Sequence, residues 1–231
     1  MKIYYNGDSN THGTELENIT EEAFAYRLAV KLNATDVRND ASPGASNTKI
    51  IRTTHEYLYS CKLKNEFPNL IVIGWTTSER EDWYYDGEYR SLNSFNLNMD
   101  TAQAYDLKRY EYWKNHTSDD AYIASMCKVY DREIFNLHCE MQELKIPHLF
   151  FNAIRTFERS VNDLQSIKTS LYHYNYGKNF IDPYSSTFTM INWALDHGYK
   201  PTDWWHFNAD AHMEFSELLF KYITNNDILN P

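Results

Sequence analysis

The stretch Lys2-Ile3-Tyr4-Tyr5-Asn6-Gly7-Asp8-Ser9-Asn10-Thr11 decides how the rest of the chain is read. Lys2 to Tyr5 reads as a short buried strand, and Asn6 to Thr11 as the sharp turn that ends it. Gly7 lets the backbone bend where a Cβ would clash. Ser9 then stands at the carboxyl end of a strand, facing the crevice where open α/β sheets bind ligands. A serine placed there is more often a helix cap or turn residue than a nucleophile. Its meaning rests on what later stretches bring to the same edge.

Working outward, residues 20–32 carry Phe24, Ala25, Leu28, Ala29 and Leu32 at helical spacing, with Glu21 and Glu22 in the first turn, where the helix dipole favours them. Residues 36–39 form a second short strand that runs into a loop of turn formers containing Gly44, and a helix follows over 47–63. Residues 69–75 are the clearest strand. Their apolar run without alternation is that of a central parallel strand covered on both faces. From 76 to 117 the pattern dissolves into an aromatic and acidic insertion. A long helix over 118–145 shows an apolar stripe at steps of three and four, Pro147 follows its end, and 148–153 is another buried strand. Beyond Arg155 the chain reads as a Tyr/Asn-rich loop over 172–184, a short helix over 185–196 closed by Gly198, a loop over 203–207 and a last helix over 209–223. Strand alternating with helix marks an α/β fold, a parallel sheet with helices on both faces, here as a single domain over 1–231.

Composition narrows the function classes. A hydrophobic share of 42% beside 23% charged residues is that of a globular chain able to build one core. The formal net charge of −10 argues against a nucleic-acid partner, because phosphate binding starts from a basic stripe. No apolar run nears the roughly 18 residues of a membrane span, and no charged-then-apolar leader opens the chain, so a cytoplasmic protein with no membrane partner is expected. Cys61, Cys127 and Cys139 are odd in number and lack C-x-x-C spacing, so reduced thiols are expected rather than disulfides or zinc.

The chemistry gathers at the strand ends. Strand one ends at Ser9, strand two in the loop with Gly44, and strand three in Gly74-Trp75-Thr76. Asp203 and His206 stand three residues apart just before the last helix. A serine nucleophile needs a base, and the base needs an acceptor to hold its tautomer; an aspartate three residues before a histidine can be that acceptor. Backbone N–H groups at Ser9 and Gly44 can stabilise an oxyanion.

These four stretches, in this order, resemble the SGNH (GDSL-type) hydrolase superfamily. Gly7-Asp8-Ser9 is similar to its first block, 39–46 with Gly44 to its second, 71–76 to its third, and Asp203-Trp204-Trp205-His206 to its terminal D-x-x-H block. The resemblance spans Gly7 to His206. It implies a three-layer flavodoxin-like fold and transfer of an acyl group to water. Ser9 would be the nucleophile, His206 the general base and then acid, and Asp203 the orienting carboxylate. Ser9, Gly44 and a third-block side chain would form the oxyanion hole.

The third block departs from the family's G-x-N, whose asparagine is an oxyanion donor; this chain has Gly74-Trp75-Thr76. A threonine hydroxyl donates but is shorter and free to rotate. Four alternatives stand: Thr76 or Thr77 replaces the asparagine, Asn10 substitutes for it, the enzyme is slow, or a relative kept the fold and lost the reaction. Asn10, Trp75, Arg80 and Trp205 are candidate substrate contacts, Arg80 for an anionic group. The aromatics of the insertion, among them Trp83, Tyr89, Tyr112 and Trp113, form either a platform for sugar rings or acyl chains or a small core of their own. His206 and His212 with Asp203 and Asp210 suggest a metal only weakly, so neither metal nor cofactor is expected. The expected function is a serine esterase acting on a small-molecule or glycan ester, an acylated carbohydrate among the candidates. The alternative is a non-catalytic module that holds a glycan or protein partner in an aromatic crevice. A nucleotide binder is disfavoured, since no Gly-rich phosphate loop is present.

Overall fold

The computed structural model describes residues 1–85, 87–92, 104–155, 173–185 and 187–230. In chain order its elements are β1 (Lys2–Gly7), α1 (Ser9–His12), α2 (Ile19–Glu22), α3 (Phe24–Lys31), β2 (Asp36–Asn39), α4 (Asn47–Lys64), β3 (Leu70–Trp75), β4 (Glu81–Tyr85), β5 (Glu88–Leu92), α5 (Ala104–Thr117), α6 (Asp120–Glu143), β6 (His148–Asn152), α7 (Met190–Asp196) and α8 (Ala209–Asn225).

Strands β2, β1, β3 and β6 form, in that spatial order, a wholly parallel four-stranded sheet. The two-residue period of a strand sends alternate side chains to opposite faces. Ile3, Tyr5, Val72 and Phe151 therefore pack under α3, α7 and α8, while Tyr4, Ile71, Ile73 and Phe150 pack under α4 and α6. Helices on both faces give three layers, so the α/β expectation holds. Every residue of β3 is buried, as its unbroken apolar run requires. On one face Phe24, Phe151 and Phe215 meet edge to face at 5.2–5.7 Å between ring centres. Beyond β6, Phe180 forms a single parallel bridge to Phe150, and Asn179 donates to the His148 carbonyl at 2.8 Å, so that edge is partly covered.

Several elements differ from the sequence reading. The first helix is two pieces, because Ala23 is extended (φ −63°, ψ 139°) between α2 and α3. The break leaves the Phe24 N–H without a helical acceptor, and buried His212 accepts it on Nδ1 at 3.2 Å. The turn after β1 contains one helical turn, α1. The insertion holds an antiparallel hairpin, β4–β5, and helix α5. Helix α7 starts at Met190 rather than 185, capped by the Thr189 side chain. Parts of the expected insertion and of the loop over 172–184 lie outside the described residues. No disulfide joins the three cysteines. No helix among the described residues is long and apolar enough to cross a membrane.

The strand order also fixes where a ligand can sit. From β1 the chain moves outward to β2 and then crosses back to β3 on the other side of β1. The loops leaving β1 and β3 thus part at the boundary between these two strands, and open α/β sheets bind ligands at that kind of crevice.

Candidate active site

Gly7 and Gly74 lie opposite each other in the β1–β3 pair, where the two strands end. A Cβ on Gly7 would sit 2.8 Å from the Gly74 carbonyl and collide with the Thr11 side chain. Gly7 also has φ +155°, a backbone state that L side chains rarely adopt. These two glycines let α1 settle directly on the strand ends. Asp8 caps α1 by accepting the Asn10 N–H on Oδ1 at 3.0 Å, and Asn6 fixes the last turn of the strand by donating to Thr53 and Thr54 of α4.

Asp8 is fully buried. Its Oδ2 accepts from the Thr76 hydroxyl at 3.3 Å and lies 3.5 Å from Arg80 Nη1. Burial pushes its carboxyl above the ordinary range, and the Arg80 charge with the Asn10, Thr11 and Thr76 donors pulls it back. The loop after β3 is held from the other side by Asn47, whose amide pairs with both the N–H and the C=O of Thr76 at 3.0 and 3.1 Å. Sequence reasoning missed Asn47, which reads as the first residue of a helix.

Over this platform opens a cleft of about 510 Å³. Ser9, Asn10, Thr77 and Arg80 line it, together with Ile154 and Arg155 from beyond β6, Trp113 from α5, and Trp204 and Trp205. The cleft thus collects residues that follow β1, β3 and β6, as a parallel sheet dictates. Of the candidates from sequence, Ser9, Asn10, Arg80 and Trp205 come together here. Trp113 is nearly buried and donates its indole N–H to the Glu79 carbonyl at 2.7 Å. Other insertion aromatics pack mainly on one another, Trp83 against Tyr112 and Tyr84 against Tyr89.

His206 belongs to a tight turn organised by Thr202. The Thr202 N–H donates to the His206 carbonyl at 2.8 Å, its hydroxyl accepts from the N–H groups of Trp204 and His206, and Trp205 takes a left-handed φ of 62°. The Thr202 hydroxyl donates to Glu15 Oε2 at 2.6 Å, and the same oxygen lies 2.8 Å from His206 Nδ1. These bonds hold the Glu15 carboxyl below the usual carboxylate range, so it is ionised and can only accept. Nδ1 therefore carries the imidazole proton and Nε2 the basic lone pair.

The expected acceptor on His206 was Asp203, and here the structure differs. Asp203 is exposed on the same turn, and Glu15 holds the imidazole. The local Asp-x-x-His spacing pointed to the nearer carboxylate, whereas the fold brings one from the loop behind α1. Two further placements are corrections. Trp75 is completely buried against Phe150 and cannot touch a ligand. The single hydroxyl proton of Thr76 goes to Asp8, so it is not aimed at the cleft. Gly44 stands in a left-handed turn at φ 71°, outside the lining of this cleft, and its expected backbone role is neither supported nor contradicted by that placement. Among the described residues no hydrogen bond joins Ser9 to His206; the neighbours of His206, Trp204 and Trp205, are what reach the cleft of Ser9. His212 is a core residue rather than a ligand: burial, with the charges of Arg27 and His206, pushes it down to about 4.

No known protein family matches this chain, and no curated protein does. Among solved structures the chain is similar to a psychrotrophic esterase, EstA, from Pseudoalteromonas sp., inhibited by monoethylphosphonate; the identity is 12% over 97% of each chain, with a TM-score of 0.45. It is also similar to a two-domain esterase, CEX, active on acetylated mannans and co-crystallized with mannopentaose, at 11% identity and a TM-score of 0.48. That match covers 100% of this chain and 50% of the other, so this chain spans half the length of the two-domain protein.

Proposed function

We propose that this chain is a serine esterase of the SGNH type, with Ser9 as nucleophile, His206 as general base and Glu15 in the orienting role that the sequence reading gave to Asp203. The observation that carries this reading is the Glu15–His206 pair, which leaves Nε2 as the basic nitrogen of a turn whose Trp204 and Trp205 line the cleft of Ser9. In the reaction, Ser9 Oγ bonds to the acyl carbon while its proton passes to His206 Nε2. The alcohol then leaves with that proton, and water repeats the sequence to free the acid. Ser9 and His206 must meet for this to happen, and catalytic hydrogen bonds of this kind often tighten only when substrate is bound.

The substrate side of the reading is an ester of a carbohydrate, supported by the exposed indoles of Trp204 and Trp205, which offer flat apolar faces to a sugar ring. A second reading keeps the aromatic cleft but assigns no hydrolysis. It is favoured by the engaged Thr76 hydroxyl and by the lack of a Ser9–His206 hydrogen bond among the described residues. A fluorophosphonate probe separates the two: labelling of the wild type and not of Ser9→Ala supports the esterase. An unlabelled wild type, with a mannan oligosaccharide retained equally by Ser9→Ala, supports the binding module.

A further inference from the structure

We propose that Arg80 is a catalytic residue of this site, its guanidinium supplying the side-chain donor to the oxyanion through the Nε and Nη2 edge; this rests on the esterase reading above. An acyl-transfer site needs donors fixed in advance where negative charge develops. Thr76 is not one of them, because its only proton goes to Asp8.

Arg80 meets the requirement in three respects. It lines the same cleft as Ser9, and its side chain is only 13% exposed. Its Nη1 is anchored by the Thr76 hydroxyl at 2.9 Å, the Ala45 carbonyl at 3.4 Å and Asp8 Oδ2 at 3.5 Å. Among the described residues, Nε and Nη2 have no acceptor, and neither is sealed from solvent as an orphaned buried donor. A guanidinium is planar, so fixing one nitrogen aims the rest of the fork. Its charge partner, Asp8, is the residue before Ser9 and is itself immobilised by the turn, which ties nucleophile and donor to one rigid point. Asp8 offsets part of the positive charge. What remains is a dipole whose positive edge is the side of Arg80 without protein partners. Asn10 also lines the cleft, but its amide is neutral.

Two measurements test this. Wild type and Ser9→Ala are first assayed on p-nitrophenyl acetate. If the wild type neither turns over nor labels with fluorophosphonate, the esterase reading falls and the role of Arg80 falls with it. If the wild type is active through Ser9, Arg80→Lys, which keeps the charge beside Asp8 but loses the fork, is expected to lower kcat about 10²–10³-fold with little change in KM. Retention of wild-type kcat by Arg80→Lys would overturn the Arg80 role alone. The second measurement does not depend on the folding of a variant. In a crystal structure of the wild-type phosphonyl adduct on Ser9, Arg80 Nε or Nη2 is expected within about 3.1 Å of the phosphoryl oxygen. An oxygen met only by backbone amides or Asn10 overturns the proposal.

Discussion

Glu15 Oε2 and His206 Nδ1 lie 2.8 Å apart, although the two residues are separated by 191 positions in the chain. The bond joins the loop after α1 to the turn before α8, and Thr202 braces it by donating to the same oxygen. An ionised carboxylate here fixes the tautomer that leaves Nε2 basic. Glu15→Gln keeps the size and an oxygen for Thr202 but allows the amide to present N–H to the ring, which favours the wrong tautomer. Its kcat on an aryl ester is expected to fall about 10²–10⁴-fold. Asp203→Asn, on an exposed position, is expected to change kcat by no more than about threefold. A loss carried by Asp203→Asn instead would return the orienting role to the local pair.

The contrast shows what was readable in the sequence and what was not. The sheet was legible because its signals are local. Residues 70–75 are apolar without a break, α4 and α8 have helical stripes and side-chain caps, and β2 was placed residue for residue. The break at Ala23 was not legible, because the Phe24 N–H it frees is taken up by His212, 188 residues beyond Phe24. The same applies to the site. The place of Ser9 at the strand end was readable from the glycine turn, but Glu15 is one acidic residue among 32 and has no local pattern. Only the closeness of its loop to Ser9 hinted that it ends at the same sheet edge. Trp75 misled for a related reason: it sits at a strand end like Ser9, yet the period of two turns its side chain into the core.

Trp205 offers a test that separates stability from binding. It holds a left-handed φ of 62° with its side chain 53% exposed, so the backbone cost is set against little burial. Glycine adopts that conformation freely. Trp205→Gly is therefore expected to match or exceed the wild type in stability, by up to about 1 kcal/mol, in a urea melt. If the indole contacts substrate, KM rises while kcat stays. A clear loss of stability would mean that Trp205 packs more tightly than its exposure indicates.

Gly7→Ala should do the reverse. The added methyl meets the Gly74 carbonyl at 2.8 Å and the side chain of Thr11, and φ +155° is a backbone state that L residues rarely adopt. Both partners are held: Gly74 is a sheet residue against Phe151, and Thr11 is fully buried. Overpacking and backbone strain together are expected to cost at least about 2 kcal/mol in chemical denaturation. Wild-type stability with activity intact would show that α1 can lift off the strand ends without consequence, so that the two glycines do not fix the site.

His212 makes the fold itself sensitive to acid. It is 1% exposed, and its Nδ1 accepts the Phe24 N–H, so protonation would strand both a buried charge and a buried donor. Burial foremost, then the charges of Arg27 and His206, push it down to about 4. In the unfolded chain an ordinary histidine takes up its proton near pH 6.5. Between about pH 6.5 and 4 the unfolded state thus binds a proton that the folded state refuses, and stability must fall as pH drops through that window. His212→Gln offers an oxygen to Phe24 but has no such titration. It is expected to be less stable than wild type at pH 7.5, with the gap closing by roughly 3 kcal/mol or less as pH falls from about 6.5 to 4. Paired urea melts at several pH values measure the gap directly. A gap that stays constant across that range would mean the folded protein accommodates a protonated His212.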